Sequence, residues 1–147
     1  LVDEPGFLIG PDAEKAGTIL HGTQAVLATT ESTVPWSTIM IRKSFGVAAA
    51  AHYGPDGYVL AWPSAESGPL PLEGGVAVAF KKEIASAENP EAKRKELEEK
   101  MAKNQNPFPR AEAFSVHEII DPRETRKYIA LWAERIQSQL RAKLVSR

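Results

Sequence analysis

Cysteine is absent from the 147 residues. That excludes a disulfide framework and a thiolate metal site, and it fits a reducing compartment, cytoplasmic or, in a eukaryote, the mitochondrial matrix. An excess of one charge is also missing: 18 Lys and Arg meet 19 Asp and Glu, for a formal net charge of −1. No face is expected to carry an uncompensated basic field, so no nucleic acid and no membrane are expected as partners. The apolar runs fall well below the roughly 20 residues that a membrane span needs, and no signal-peptide pattern is visible. Reactive side chains are scarce too. His21, His52 and His117 are the three histidines, and no two have metal-ligand spacing with a carboxylate, so no metal is expected. Walker-type and dinucleotide glycine fingerprints are missing. So is a Gly-x-Ser-x-Gly elbow, although Ser44-Phe45-Gly46 has part of its look. Ser44 has no identifiable base and reads as a structural hydroxyl.

What is present is a globular composition, 43% hydrophobic and 25% charged, in a length that suits a single domain over 1–147 with one core. Leu1-Val2-Asp3-Glu4-Pro5-Gly6 reads as the tail of a strand entering a turn, with no turn or cap before it. This suggests a piece of a longer chain with an open sheet edge. Asp12 is a candidate N-cap, and the apolar spacing from Ala13 to Thr30 predicts a helix over 12–31 in which Gly17 and Gly22 imply close packing. A strand is expected over 34–43, a turn at Gly54-Pro55-Asp56-Gly57, and a strand over 58–62. An irregular stretch over 68–75 precedes a helix over 76–84. Residues 88–104 read as a charged surface helix started by Asn89-Pro90. A short element over 116–120 leads to Asp121-Pro122 and a C-terminal docking helix over 121–143, with Tyr128, Leu131, Trp132, Ile136 and Leu140 as its stripe. Strands separated by helices predict α/β layering with crossover connections.

The most informative stretch is Ser37 to His52. A β-branched strand runs through Gly46 straight into a small-residue helix. The first N–H groups of such a helix lack intrahelical partners and face whatever sits at the junction. A site of that kind needs no reactive side chain. His52 and Tyr53, near the far end of this helix, read mainly as packing residues, with a site-lining role as the alternative.

Several motifs then stand in order. Asp3-Glu4-Pro5-Gly6-Phe7-Leu8-Ile9-Gly10 resembles the D-x-P-G-F-x-x-G turn of the carboxyltransferase (β) subunits of biotin-dependent acyl-CoA carboxylases. Arg42-Lys43-Ser44-Phe45-Gly46-Val47-Ala48 resembles their R-K-[AS]-[YF]-G-[GV]-A segment, and Ala61-Trp62-Pro63-Ser64-Ala65-Glu66 their A-W-P-x-A-E. Gly74-Gly75-Val76, Asn106-Pro107-Phe108-Pro109 and Ile119-Ile120-Asp121-Pro122-Arg123-Glu124-Thr125-Arg126 resemble a helix start, an N-P-[FY] motif and a closing I-I-D-P-R-x-T-R motif. The resemblance covers the later part of the family's C-terminal domain.

The resemblance implies a partial crotonase-like (ClpP/crotonase) ββα-superhelix. It implies carboxyl transfer from carboxybiotin, carried on a partner protein, to the α-carbon of a short-chain acyl-CoA. The backbone N–H groups of Gly46, Val47 and Ala48 would form the biotin-side oxyanion hole, with Gly6, Phe7, Phe45, Trp62 and Glu66 on the biotin side. The general base would be the cofactor itself, with no metal in this chain. Implied partners are the family's N-terminal carboxyltransferase domain from the same or a neighbouring subunit, the biotin carboxyl carrier and the biotin carboxylase, within a homo-oligomer. Many members have Gly-Gly-Ala where this chain has Gly46-Val47-Ala48; valine keeps its N–H but disfavours positive φ and adds branched bulk. Three alternatives stand beside this reading. They are a biotin-dependent acyl-CoA decarboxylase, a crotonase-type hydratase or isomerase using Glu66 or Glu73 as base, and a non-catalytic assembly domain that uses the charged arm and the C-terminal stripe.

Overall fold

Ser37–Phe45 is the axis of the molecule. Thr38, Ile39 and Ile41 are β-branched and suit a pleated surface, and the segment forms β2, the middle of a parallel sheet in the computed structural model, which describes residues 1–55 and 57–145. On one side lies β1 (Val2–Glu4), with Val2 opposite Met40 and Glu4 opposite Ser44. On the other, β3 (Tyr58–Ala61) pairs with the first half of β2, from Ser37–Tyr58 to Met40–Ala61. There β4 (Glu66–Gly68) takes the second half, from Lys43–Glu66 to Phe45–Gly68. β5 (Glu118–Ile119) pairs with β3. Alternate side chains supply two cores: Ile39, Leu60 and Ile120 with Trp62 and Tyr128 on one face, and Met40, Val59, Ala61, Ala65 and Val116 on the other. Burial on both faces is what a parallel sheet with crossovers requires. Both oxygens of Asp3 share the single N–H of Arg42 Nε at 3.0 Å, which ties β1 to β2 and holds the Asp3 carboxyl below its usual range.

Several expected boundaries move. β2 starts at Ser37, because Pro35 cannot donate to a ladder, and it runs on to Phe45. The helix expected over 12–31 is two helices, α1 (Pro11–Lys15) and α2 (Thr18–Thr30), separated by Gly17 at φ 71. Asp12 is not the cap: Pro11 takes the first helical position and Gly10 precedes it. The apolar stripe of α2 is not what it buries. Ile19, Leu20 and Leu27 stay more than half exposed, while Gly22 and Thr29 are buried. The helix expected over 76–84 is α3 (Leu72–Ala79) followed by α4 (Lys81–Ala85), broken at Phe80.

The charged arm is α5 (Pro90–Ala102), capped by Asn89 Oδ1, which accepts the Ala92 N–H at 3.1 Å. Lys93 pairs with Glu83 and Glu96, Arg94 pairs with Glu98, and Leu97 is the buried anchor. Asn106-Pro107 is a helix start rather than only a break: Asn106 Oδ1 accepts the Phe108 N–H at the head of α6 (Pro107–Glu112). The expected 121–143 helix opens as a 3₁₀ turn, Pro122–Glu124, with Asp121 accepting the Arg123 N–H, and continues as α7 (Thr125–Val145). Its stripe is not sealed, since Leu131 and Leu140 remain 42% and 40% exposed. In the Gly54–Gly57 turn the Gly57 N–H donates to the Gly54 carbonyl at 3.1 Å, and Asp56 lies outside the described residues. No helix among the described residues is long and apolar enough to cross a membrane.

At the sheet edge beneath α7, Tyr58 Oη donates to Glu118 Oε1 at 2.6 Å, and the same carboxylate raises the Tyr128 phenol above its ordinary value. Burial first, and then that bond to Glu118, push the Tyr58 phenol up to about 12. The folded state therefore keeps a proton that the unfolded chain releases above its ordinary value of 10.0. The sign follows from linkage: the stabilisation is whole below pH 10 and is lost as pH rises through about 12. In Glu118→Gln the phenolate absorbance of Tyr58 is expected at lower pH than in the parent. An unchanged titration would eliminate Glu118 as a cause.

Candidate active site

β1, β2 and β4 end side by side, and ligands of open parallel sheets collect beyond the carboxyl ends of the strands. Pro5-Gly6-Phe7 follows β1, Gly46-Val47 follows β2, and Pro69-Leu70-Pro71 follows β4. These three turns enclose a cleft of about 480 Å³, within the range of small-molecule sites. Ile9 and the α2 residue Ile19 wall one side, and Gly75, Val78 and Ala79 of α3 wall the other. None of the described lining residues carries an ionisable side chain. Polar character at the end of β2 comes from the main chain.

Gly46 sits at φ 65 and ψ −158, a backbone that other residues avoid. Its N–H donates to the Gly68 carbonyl at 3.0 Å and extends the β2–β4 ladder. One of the three expected donors is therefore already used inside the sheet. The helix after it, Val47–His52, is 3₁₀ and six residues long, and its first closed turn is the Ala49 N–H to Gly46 carbonyl bond at 3.3 Å. Val47 and Ala48 precede that bond, and neither N–H has a partner among the described residues. So short a helix has little macrodipole to aim, and the junction offers two individual donors instead. Val47 is 66% exposed and lines the cleft, while Ala48 is 2% exposed behind it. A buried N–H without a partner is rare in folded proteins. Among the described residues Phe114 is the non-glycine residue with positive φ, so Val47 carries no backbone strain.

This junction is held from several sides. The His52 carbonyl accepts Thr38 Oγ1 at 2.6 Å and Trp36 Nε1 at 3.0 Å. The Ala51 carbonyl accepts Thr29 Oγ1 at 3.1 Å, and Ser44 Oγ shares a bond of 2.8 Å with Tyr53 Oη. Ser44 is thus a satisfied, buried hydroxyl. His52 and Tyr53 lie outside the lining of the cleft, and His52 Nε2 is 3.8 Å from the Glu4 carboxylate.

Of the residues expected on the biotin side, Gly6, Phe7 and Phe45 line the same cleft as Gly46 and Val47. Trp62 and Glu66 do not. Trp62 packs in the core, and its Nε1 donates to Thr125 Oγ1 at 2.9 Å, which seats α7. Glu66 is exposed at the start of β4, opposite Lys43. The side chain of Glu73 lies outside what the structure describes. Sequence reasoning missed Ile9, Ile19, Leu70 and Val78 as walls. The signal available was Pro69-Leu70-Pro71, two prolines fixing an apolar residue after a glycine. No group of three or more His, Asp or Glu among the described residues could hold a metal ion.

A family profile described as "Carboxyl transferase domain" matches residues 1–147. The methylmalonyl-CoA carboxyltransferase 12S subunit of Propionibacterium freudenreichii subsp. shermanii is 41% identical over 134 residues, 88% of this chain and 26% of the relative. The methylmalonyl-CoA decarboxylase subunit alpha of Propionigenium modestum is 38% identical over 134 residues, again 88% of this chain and 26% of the relative. A crystal structure of transcarboxylase 12S, described as a hexamer assembly with methylmalonyl-coenzyme A and methylmalonic acid bound, superposes with a TM-score of 0.79 at 39% identity. It covers 93% of this chain and 27% of that one. The chain spans about a quarter of the length of the curated relatives it matches.

Proposed function

The chain belongs to the carboxyl transferase domain family, whose crotonase-like α/β fold it shares, and from that premise we propose that it supplies the biotin-side half of an active site for carboxyl transfer between biotin and a short-chain acyl-CoA. The observation that carries this reading is the cleft at the ends of β1, β2 and β4, with Val47 in its lining and the unpartnered N–H groups of Val47 and of Ala48 behind it.

The residues fit a flat ring with apolar faces and a polar carbonyl edge. Phe7, Ile19, Leu70 and Val78 give the walls, and main-chain hydrogens give the polar end. At Gly46 an added Cβ would make only an ordinary contact, 3.5 Å from the Pro69 carbonyl oxygen, so it is the φ of 65 and not lack of space that calls for glycine there. Biotin, bound on its carrier, would supply the transferable carboxyl group and, once that has left, a basic ureido nitrogen. The chain's own part is to hold and to stabilise. The Val47 N–H, with Ala48 beside it, would donate to an oxygen that gains negative charge as the carboxyl group departs. The bonds to the Ala51 and His52 carbonyls fix those donors before any charge develops. Donors fixed in advance, inside a cleft of low polarity, are worth more than the same groups in water.

The partners of this reading are an N-terminal carboxyltransferase domain from the same or a neighbouring subunit, a biotin carboxyl carrier and a biotin carboxylase, within a homo-oligomer. The compartment that goes with it is the cytoplasm, or the mitochondrial matrix in a eukaryote. A decarboxylase is the second reading, favoured by the likeness to the methylmalonyl-CoA decarboxylase subunit. It would use the same cleft and differ in where the carboxyl group goes next. The test is transfer of a carboxyl group from methylmalonyl-CoA to free biotin by the full-length parent protein. Biotin-dependent formation of propionyl-CoA is the expected result. Turnover that ignores biotin would sink both readings.

A further inference from the structure

Resting on that reading of the cleft, we infer that Gly22 is a positioning residue: the gap it leaves in α2 is the socket that keeps the Phe7 ring out of the biotin cleft. Gly22 lies inside a helix, where glycine destabilises by about 1 kcal/mol relative to alanine. Alanine fits there only if Phe7 moves. A Cβ built on Gly22 would lie 2.5 Å from Phe7 Cε2, closer still to Cζ, and 3.0 Å from Cε1. The ring therefore rests directly on the helix backbone, and Phe7 is at the same time a wall of the cleft.

The same face of α2 carries a second tie. Thr29 stands seven residues on, two turns along the helix, and is buried with Gly22. Its Oγ1 hydrogen is shared between the Ala25 carbonyl of the same helix at 3.0 Å and, at 3.1 Å, the Ala51 carbonyl in the last turn of the 3₁₀ helix whose first residue is Val47. One helix thus sets both walls: Gly22 fixes the depth of Phe7 after β1, and Thr29 fixes the donor turn after β2. The spacing between ring and donors is set by the register of α2, not by any residue that touches substrate.

The test is made on the full-length parent protein, with methylmalonyl-CoA as donor and free biotin as acceptor. Gly22→Ala is expected to push the ring toward the cleft and to raise the KM for biotin roughly tenfold. The KM for methylmalonyl-CoA should stay within about twofold. Adding Phe7→Leu to Gly22→Ala makes room again and should recover most of the biotin KM, a rescue that general destabilisation would not give. Thr29→Val, close in shape but without the hydroxyl, is the second arm and should lower kcat several-fold; it decides the matter if Gly22→Ala fails to fold. The inference is overturned if biotin KM is unchanged in Gly22→Ala, if both KM values move together without rescue, or if Thr29→Val leaves kcat intact. Val47→Pro separates this from the parent reading. If it leaves kcat untouched, the cleft itself is misread. If it slows the reaction while Gly22→Ala does nothing, the positioning role alone is lost.

Discussion

Replacing Val47 by proline in the full-length parent protein is expected to cut kcat for carboxyl transfer by about 10²–10³, the usual cost of removing one fixed oxyanion donor. The substitution suits the position. Val47 opens the 3₁₀ helix, where the fixed φ of proline is already the helical value and no intrahelical bond is broken. The residue before it, Gly46, has ψ −158, outside the α region that a following proline forbids. The side chain lost is two-thirds exposed, so little packing goes with it. Val47→Ala, which keeps the N–H, is the control and should stay within a few-fold of the parent. Gly46→Pro would be a poorer probe, because φ 65 is closed to proline and the Gly46 N–H is already bonded to Gly68. If Val47→Pro folds, binds biotin and turns over at the parent rate, main-chain stabilisation at this junction is wrong.

The junction was the most legible part of the sequence because its signals are local. A β-branched run, one glycine and four alanines fix strand, break and helix within sixteen residues, and the turn at Gly6-Phe7 is equally short-range. What the sequence did not disclose depends on partners far along the chain. β4 is three residues, Glu-Ser-Gly, with no alternation to read, and it exists because β2 continues past β3 and offers a free edge. That pairing, in turn, takes the Gly46 N–H out of the expected donor set. The opposite error occurred on α2 and α7. Their apolar stripes follow the helical period, yet Ile19, Leu27, Leu131 and Leu140 stay well exposed, because periodicity says which residues share a face and not whether anything covers it. Motif resemblance alone puts Trp62 and Glu66 near biotin. Strand alternation puts Trp62 with Ile39 and Leu60 in the core beneath α7, away from the cleft.

Phe45 carries the second large effect, and it is an effect on stability. At 1% exposure it is the largest of the fully buried side chains, although it stands at the end of the strand that feeds the cleft. A Cβ on Gly68 would come 3.6 Å from its ring and 3.7 Å from Gln105, so ring, β4 and Gln105 meet at one place. Gln105 Nε2 donates to the Leu70 carbonyl at 2.9 Å, and the Gln105 main-chain carbonyl accepts the Ser67 N–H at 2.8 Å. The ring is the packing against which the Pro69–Pro71 wall is fastened. Phe45→Ala removes it from a site that backbone bonds prevent from collapsing, and about 3–5 kcal/mol of destabilisation is expected. In a longer cooperative unit that is a fall in Tm of about a few degrees or more. Thermal unfolding of the full-length parent and variant measures it, and a fall of less than about 2 °C would mean the ring is not what holds the wall. The contrast with Val47 is the physical point. Two residues apart, one acts through a side chain that never meets solvent, and the other through a main-chain hydrogen whose side chain is nearly irrelevant. Val47→Pro should therefore lower kcat with little change in Tm. Phe45→Ala should lower Tm and loosen biotin binding, while leaving the Val47 and Ala48 donors in place.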